Sequence, residues 1–190
     1  MKYTYTLLIA AFVFVSCNSG QQKVQTTDAE FDKQKEELTI RQLVSDIYKE
    51  VNIRWDQSSE GTEFDETMEE KYTTDEWQEL YLDLRAIEGE KVAIGNDEGV
   101  YFSEGGNVWT MGSFDLPFTT EVVRVEFAND STADVYFWLK PAESENLPIL
   151  WEMKKVGDKW LIQNFIEGDE AYEYEYNYME HMKDYIKRNS

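Results

Sequence analysis

The chain has 190 residues, and its 39 Asp and Glu against 18 Lys and Arg give a net charge of −21. This acidity excludes a nucleic-acid-binding protein, which needs a basic surface to displace counterions from phosphate groups. Because 42% of the residues are apolar and only three are proline, the chain is expected to fold rather than to stay disordered. Its length is typical of a single domain.

The amino terminus has the features of a secretory signal peptide. Lys2 supplies a positive charge, residues 7–15 form an almost unbroken apolar run, and Ser16 is a small residue at the predicted cleavage point. The run is far shorter than the roughly 20 residues that a transmembrane helix needs. Residues 1–16 are therefore predicted to be a leader that is removed from the mature protein.

The single cysteine, Cys17, follows directly after this cleavage point. A secreted chain with one cysteine can form no internal disulfide, so the thiol needs another role. Residues 14–17, Phe-Val-Ser-Cys, resemble the bacterial lipobox, although Phe14 stands where Leu is usual. The resemblance implies that the Cys17 thiol is acylated and that the lipid attaches the protein to a membrane. The alternative is that Cys17 merely ends the apolar run.

A polar segment separates this cysteine from the predicted domain. Residues 18–27 are small and polar with no hydrophobic period, and residues 17–37 are predicted to be the lipidated cysteine and a flexible tether. Residues 38–190 are predicted to form the folded domain. Asn18 is not the Asp that retains many lipoproteins in the inner membrane. By resemblance, we expect the protein at the periplasmic face of the outer membrane of a Gram-negative bacterium.

Two helices are predicted at the start of the domain. From Leu38 onward one helix carries an apolar stripe at helical spacing, formed by Ile40, Leu43, Val44, Ile47, Tyr48 and Val51. A loop is predicted at residues 56–61 and a short helical turn at 64–71. A second helix is predicted to begin with Thr73 as N-cap and Glu76 completing a capping box.

The rest of the domain is predicted to be mainly β-structure. Short strands are predicted at 92–94, 100–102 and 108–111, and longer alternating strands at 121–127, 132–139, 147–155 and 160–166. The tail alternates Tyr with polar residues from 172 to 178, which suggests a strand with its tyrosine hydroxyls in water. Helical spacing then returns, so we predict a turn followed by a carboxy-terminal helix. The predicted fold class is α+β, with amino-terminal helices on a curved antiparallel meander sheet.

This order of elements resembles the nuclear-transport-factor-2-like cone. The resemblance is carried by the closing hairpin 157–162, Gly-Asp-Lys-Trp-Leu-Ile, by Tyr48 in the first helix, and by Asp115 before the long strands. It implies a cone-shaped pocket between sheet and helices. Some members, such as the ketosteroid-isomerase-like and scytalone-dehydratase-like enzymes, perform acid–base chemistry there, and others only bind. Members often dimerise through the outer face of the sheet, which would make this chain a homodimer.

Few residues suit catalysis or a cofactor. Asp115 lies among apolar neighbours, where burial would raise its pKa, but an aspartate before a proline-containing turn more often caps backbone amides. Asp134 would share a face with two aromatic residues of its strand. His181 is the only histidine, and with Cys17 assigned to the lipid no zinc site of the usual nitrogen and sulfur ligands is available. We expect no metal and no cofactor.

Aromatic residues are the candidates for a ligand pocket. They could line a site for a small apolar or glycan ligand, or simply fill the core. With Asp115, the pocket candidates are Tyr48, Trp55, Tyr81, Trp109, Trp138 and Trp151.

Three functions fit these observations. The first is a membrane-tethered, non-enzymatic lipoprotein that binds a ligand or a partner. The second is an isomerase- or dehydratase-type enzyme that uses Asp115, which a carboxylate facing a cavity would favour and a pocket filled by Trp and Tyr would oppose. The third is an acidic immunity or assembly factor that recognises a basic protein by charge complementarity.

Overall fold

The computed structural model describes residues 31–58, 66–93, 108–111, 116–168 and 174–189, which belong to one compact unit. The leader, Cys17, Asp115 and the strand predicted at 100–102 lie outside these residues. In chain order the elements are α1 (Lys33–Ser58), α2 (Met68–Tyr72), α3 (Asp75–Ala93), β1 (Thr119–Phe127), β2 (Thr132–Lys140), β3 (Leu147–Val156), β4 (Lys159–Gly168), β5 (Tyr174–Asn177) and α4 (Tyr178–Asn189).

The five strands form one antiparallel sheet in the order β1-β2-β3-β4-β5. Each strand pairs with the next one along the chain, so the sheet is a meander. The predicted α+β class is confirmed, and so are the four long strands and the carboxy-terminal helix. Among the described helices, none is both long and apolar enough to cross a lipid bilayer.

The core lies between the helices and one face of the sheet. Strand β2 alternates strictly, with one set of side chains buried and the other half-buried. The buried set packs with the predicted stripe of α1, with Trp77 and Leu84 of α3, and with Met182 of α4. The half-buried set, which includes Asp134, Tyr136 and Trp138, therefore points to the sheet face opposite the helices.

Helix α1 begins at Lys33 rather than at Leu38, and its first turn is tied to the β3–β4 hairpin. The Glu36 carboxylate accepts hydrogen bonds from Lys155 Nζ at 2.7 Å and from Trp160 Nε1 at 2.6 Å. These bonds hold the pKa of Glu36 below its ordinary value, although burial opposes the shift. Further along the helix, the Arg41 guanidinium donates to the carbonyl oxygen of Val122 on the edge strand β1.

The prediction that the second long helix begins with Thr73 as its N-cap is wrong. The residue before α3 is Thr74, and Thr73 ends α2 instead. Thr73 is the C-cap of α2, and its hydroxyl donates to the Glu69 carbonyl at 2.7 Å. Thr74 instead accepts a hydrogen bond from Trp77 N at 3.4 Å at the start of α3. The backbone N–H of Thr74 donates to the Ile162 carbonyl at 3.0 Å, so pairing with β4 sets the break between the helices.

Two other expectations are also corrected. Val92 and Ala93 belong to α3 rather than to a strand, and residues 108–111 form a turn in which every residue is buried. A short apolar run gives the same hydrophobic signal in a strand and in a buried turn, which explains the error. A third correction concerns the tail, where the turn predicted before the carboxy-terminal helix is wrong: the period-two pattern forms a strand, β5, and α4 follows it directly.

Candidate functional site

Strand β4 and helix α4 bring the half-buried Glu167 together with the buried Tyr178. The Tyr178 hydroxyl lies 3.3 Å from Glu167 Oε2 and 3.4 Å from Met111 Sδ, so its single proton can be donated to either acceptor. Burial raises the pKa of Glu167 even though the hydrogen bond from Tyr178 opposes this shift. Burial and the neighbouring Glu167 raise the pKa of Tyr178 as well. The pair can therefore hold a proton at a higher pH than an exposed carboxylate.

Helix α1 places Tyr48 beside this pair. The Tyr48 ring stacks on Trp151 with centroids 5.8 Å apart and an interplanar angle of 12°. Its side chain is only 2% exposed, and within the described part of the chain its hydroxyl has no hydrogen-bond partner. Burial raises the pKa of Tyr48, and the nearby Tyr178 hydroxyl contributes to the shift. Tyr48 is thus a neutral donor at every physiological pH.

The turn at residues 108–111 packs beside Tyr178 and Trp151 and completes this set of side chains. The Trp109 ring meets Trp151 edge-on at 6.4 Å, and its Nε1 donates to Glu69 Oε1 at 2.8 Å. Met111, which contacts Tyr178, has a φ of 48°, a left-handed backbone that costs a residue with a Cβ about 1–2 kcal/mol. Thr110 lies between them and is fully buried. The turn therefore spans from the indole of Trp151 to the hydroxyl of Tyr178.

Three donors in this group have no acceptor within the described residues. They are the Tyr48 hydroxyl, the Thr110 hydroxyl and Trp151 Nε1, all buried. An unsatisfied buried polar group costs about 1–3 kcal/mol, so such groups call for a water or a ligand as partner. We call the set of Tyr48, Thr110, Trp151, Glu167 and Tyr178 the interior polar cluster. Chemically, each of these donors can hydrogen-bond a water molecule or the oxygen atom of a ligand.

The structure brings together only some of the predicted pocket residues. Tyr48, Trp109 and Trp151 meet in the core, as described above. Trp55 is half-buried on α1, and Tyr81 is half-buried on α3, where burial raises its pKa. Trp138 lies on the opposite sheet face and does not line the interior. His181 packs its ring against Tyr176 at 4.9 Å.

Glu167 was missed by the sequence analysis because of a β-bulge. The pairing of β3 with β4 shifts between Glu152 and Met153, which leaves Gln163 as an extra residue. Before the shift Ile162 faces the core, and after it Phe165 and Glu167 do. Unbroken alternation would have put Glu167 on the other face. The prediction that the tyrosine hydroxyls of the tail lie in water is wrong for Tyr178, which is buried.

The opposite sheet face carries a row of carboxylates in direct register. Asp134 pairs with Glu126 of β1 and with Glu152 of β3. Burial raises the pKa of Asp134, and the charges of Glu152 and Glu126 raise it further. On the same face, the Arg124 guanidinium lies 3.8 Å from the centroid of the Tyr136 ring.

Neither a metal-binding group nor a known relative indicates what these two sites bind. Among the described residues, no group of three or more His, Cys, Asp or Glu could hold a metal ion. No family model matches the chain, and no curated protein or solved structure matches it either. The function of the chain is therefore inferred from its own residues.

Proposed function

We propose that this chain is a lipid-anchored protein of the bacterial cell envelope whose α+β domain binds a small molecule at the interior polar cluster without chemical turnover. The single observation that supports the binding site is the set of three buried donors, on Tyr48, Thr110 and Trp151, without acceptors among the described residues. Such donors are satisfied by a ligand with carbonyl, ether or hydroxyl oxygens. The surrounding aromatic rings suit a small, largely apolar molecule that carries such an oxygen.

Binding is favoured over catalysis because aromatic side chains fill the described interior. The ring centroids of Trp109 and Phe165 are 5.1 Å apart. The centroid of Trp151 lies 4.8 Å from that of Phe137 and 5.8 Å from that of Phe165. This packing leaves little room for a substrate that must change shape. Protein interiors are close-packed, so a ligand at these donors would be no larger than a few heavy atoms.

A second function is supported by the Glu167–Tyr178 pair. A half-buried carboxyl with a raised pKa, hydrogen-bonded to a tyrosine, suits general acid–base catalysis. In this alternative Glu167, and not Asp115, transfers the proton. A Glu167→Gln variant distinguishes binding from catalysis. It should still bind the ligand but should no longer convert it to a product.

Native mass spectrometry of the lipidated chain in mild detergent tests the binding function. We expect a retained small-molecule mass in the wild type and its loss in a Tyr48→Phe, Thr110→Val double variant. Tyr136→Phe is the matched control, since it removes a tyrosine hydroxyl from the opposite sheet face. A bare protein mass in the wild type, or equal loss in the control, would contradict the proposal.

Anchoring through Cys17 is tested separately. We expect Cys17→Ser to remove the acyl mass and to release the protein from the membrane fraction. Ser16→Ala is the control, because it keeps a small residue next to the cysteine. A Cys17→Ser protein that remains in the membrane fraction would exclude the lipid anchor.

A further inference from the structure

The sheet face opposite the core combines charge with aromatic surface, and α4 reaches it at Asn164, whose Oδ1 accepts a hydrogen bond from the Met179 N–H at 3.1 Å. We define the acidic sheet face as Glu126, Asp134, Tyr136, Trp138 and Glu152. The described helices all bury their apolar residues against the other side of the sheet. This face is therefore a second surface, distinct from the interior polar cluster.

The register of this face places three carboxylates side by side, of which Glu126 pairs with Arg124 and Glu152 accepts a hydrogen bond from Asn164 Nδ2 at 2.9 Å. Directly opposed residues of neighbouring strands have their Cβ atoms about 5 Å apart, and like charges in such pairs are destabilising. Asp134 nevertheless has a glutamate on each side, Glu126 and Glu152. Among the described residues, no Lys or Arg pairs with Asp134. An incoming cation would relieve this repulsion.

The same face already holds one guanidinium against an aromatic ring. Arg124 lies over Tyr136 at 3.8 Å and pairs with Glu126 at 3.2 Å, so ring and carboxylate bind one cation together. Trp138 and Asp134 flank Tyr136 on the same side of β2 and are half-buried. A second Lys or Arg at Asp134 would lie beside the Tyr136 ring that Arg124 already covers, whereas Trp138 lies about 13 Å further along the strand.

We propose that the acidic sheet face docks a basic segment of a partner protein, with a Lys or Arg side chain seated at Asp134 between Glu126 and Glu152. The net charge of −21 would steer a basic partner toward the chain. It also opposes a second copy as the occupant, because a symmetric dimer would set these carboxylates against themselves. The inference is independent of the interior ligand.

Fluorescence anisotropy with the full chain tests the docking surface. The probe is a labelled ten-residue peptide that alternates Lys with Ser, and the control probe alternates Glu with Ser. The test variant combines Glu126→Gln, Asp134→Asn and Glu152→Gln. The matched control combines Glu79→Gln, Asp83→Asn and Glu90→Gln, which remove the same charge from exposed positions on α3.

We expect the Lys peptide to bind and the Glu peptide not to bind. The Kd for the Lys peptide should rise at least about tenfold in the sheet-face variant and less than about twofold in the α3 variant. Asp134→Asn alone, which keeps the shape of the side chain, should account for much of the loss. Tyr48→Phe should leave this Kd unchanged, which separates the result from the interior site.

Three outcomes would overturn the inference. Equal weakening by both triple variants would show that net charge alone attracts the peptide. Absence of binding to the wild type would show that the face does not take a basic segment. A monomer–dimer equilibrium that shifts only in the sheet-face variant, measured by sedimentation velocity, would show that the face meets a second copy.

Discussion

The side chain of Asn52 on helix α1 hydrogen-bonds both backbone polar groups of Phe118. Asn52 Nδ2 donates to the Phe118 carbonyl at 2.8 Å, and the Phe118 N–H donates to Asn52 Oδ1 at 2.8 Å. Phe118 is buried and immediately precedes strand β1. The Asn52 carboxamide thus takes the place of a neighbouring strand. It hydrogen-bonds the N–H and the C=O of Phe118, which lie outside the pairing of β1 with β2.

Asn52→Ala should lower the free energy of unfolding by about 2–4 kcal/mol, because it leaves a buried N–H and a buried carbonyl without partners. Urea denaturation followed by tryptophan fluorescence measures the change. Gln42→Ala is the control, since among the described residues Gln42 bonds only to Asp46, on the exposed side of the same helix. A loss of similar size in both variants would mean that the two hydrogen bonds between Asn52 and Phe118 do not stabilise the fold more than an exposed contact does.

Glu50 should support stability down to strongly acidic pH. Burial raises its pKa, but hydrogen bonds from Lys71, Tyr72 and Arg54 outweigh burial and hold the pKa at about 2, against an ordinary 4.5. A carboxyl with a depressed pKa in the folded state contributes stability above its unfolded pKa, and this contribution disappears as pH falls toward about 2.

Glu50→Gln should therefore lower the free energy of unfolding by about 1–3 kcal/mol at pH 7, the usual loss for hydrogen bonds to a charged group. The difference from wild type should shrink between pH 4.5 and pH 2. Urea denaturation at a series of pH values measures it. Glu70→Gln at the α2 capping box is a comparison in which a single backbone N–H is bound. A difference for Glu50→Gln that does not change with pH would exclude the ionised carboxylate as its cause.

Two glycines should respond to alanine with opposite signs. Gly157 forms the β3–β4 turn with a φ of 60°, whereas Gly89 lies within helix α3, and a Cβ at either position would meet nothing within 4 Å. The difference therefore comes from the backbone. Gly157→Ala should cost about 1–2 kcal/mol, and Gly89→Ala should add about 0.5–1 kcal/mol. Thermal unfolding followed by circular dichroism compares the two variants. A stability change of the same sign in both would contradict the left-handed turn at Gly157.

Glu167→Gln should stabilise the protein at neutral pH. The folded-state pKa of Glu167 is raised by burial, so the folded state holds the proton more tightly than the unfolded state does. Its ionisation costs stability as pH rises above the ordinary value of 4.5. We expect a Tm about 2–4 °C above wild type at pH 7, the shift typical of about 1 kcal/mol at this size, and no difference near pH 4. A lower Tm at pH 7 would mean that the ionised carboxylate has a partner that stabilises it.

Local periodicity in the sequence was enough to predict the main elements. The apolar stripe through Ile40 and Ile47 marks α1, and the strict alternation of β2 marks both its faces. The Gly157–Asp158 pair marks the closing hairpin. These signals are readable because they depend on neighbours within a few residues, where backbone geometry sets the side-chain period.

The sites depended on contacts between distant parts of the chain. The unpaired residue Gln163 turned Glu167 into the interior, and the bond from Thr74 to Ile162 set the break between α2 and α3. The register of β1, β2 and β3 aligned Asp134 with two glutamates. Sequence alone determined the main helices and strands and most of the apolar residues on their buried faces. Only the tertiary structure decided which of them meet, because strand register and bulges are set by pairing partners many residues away.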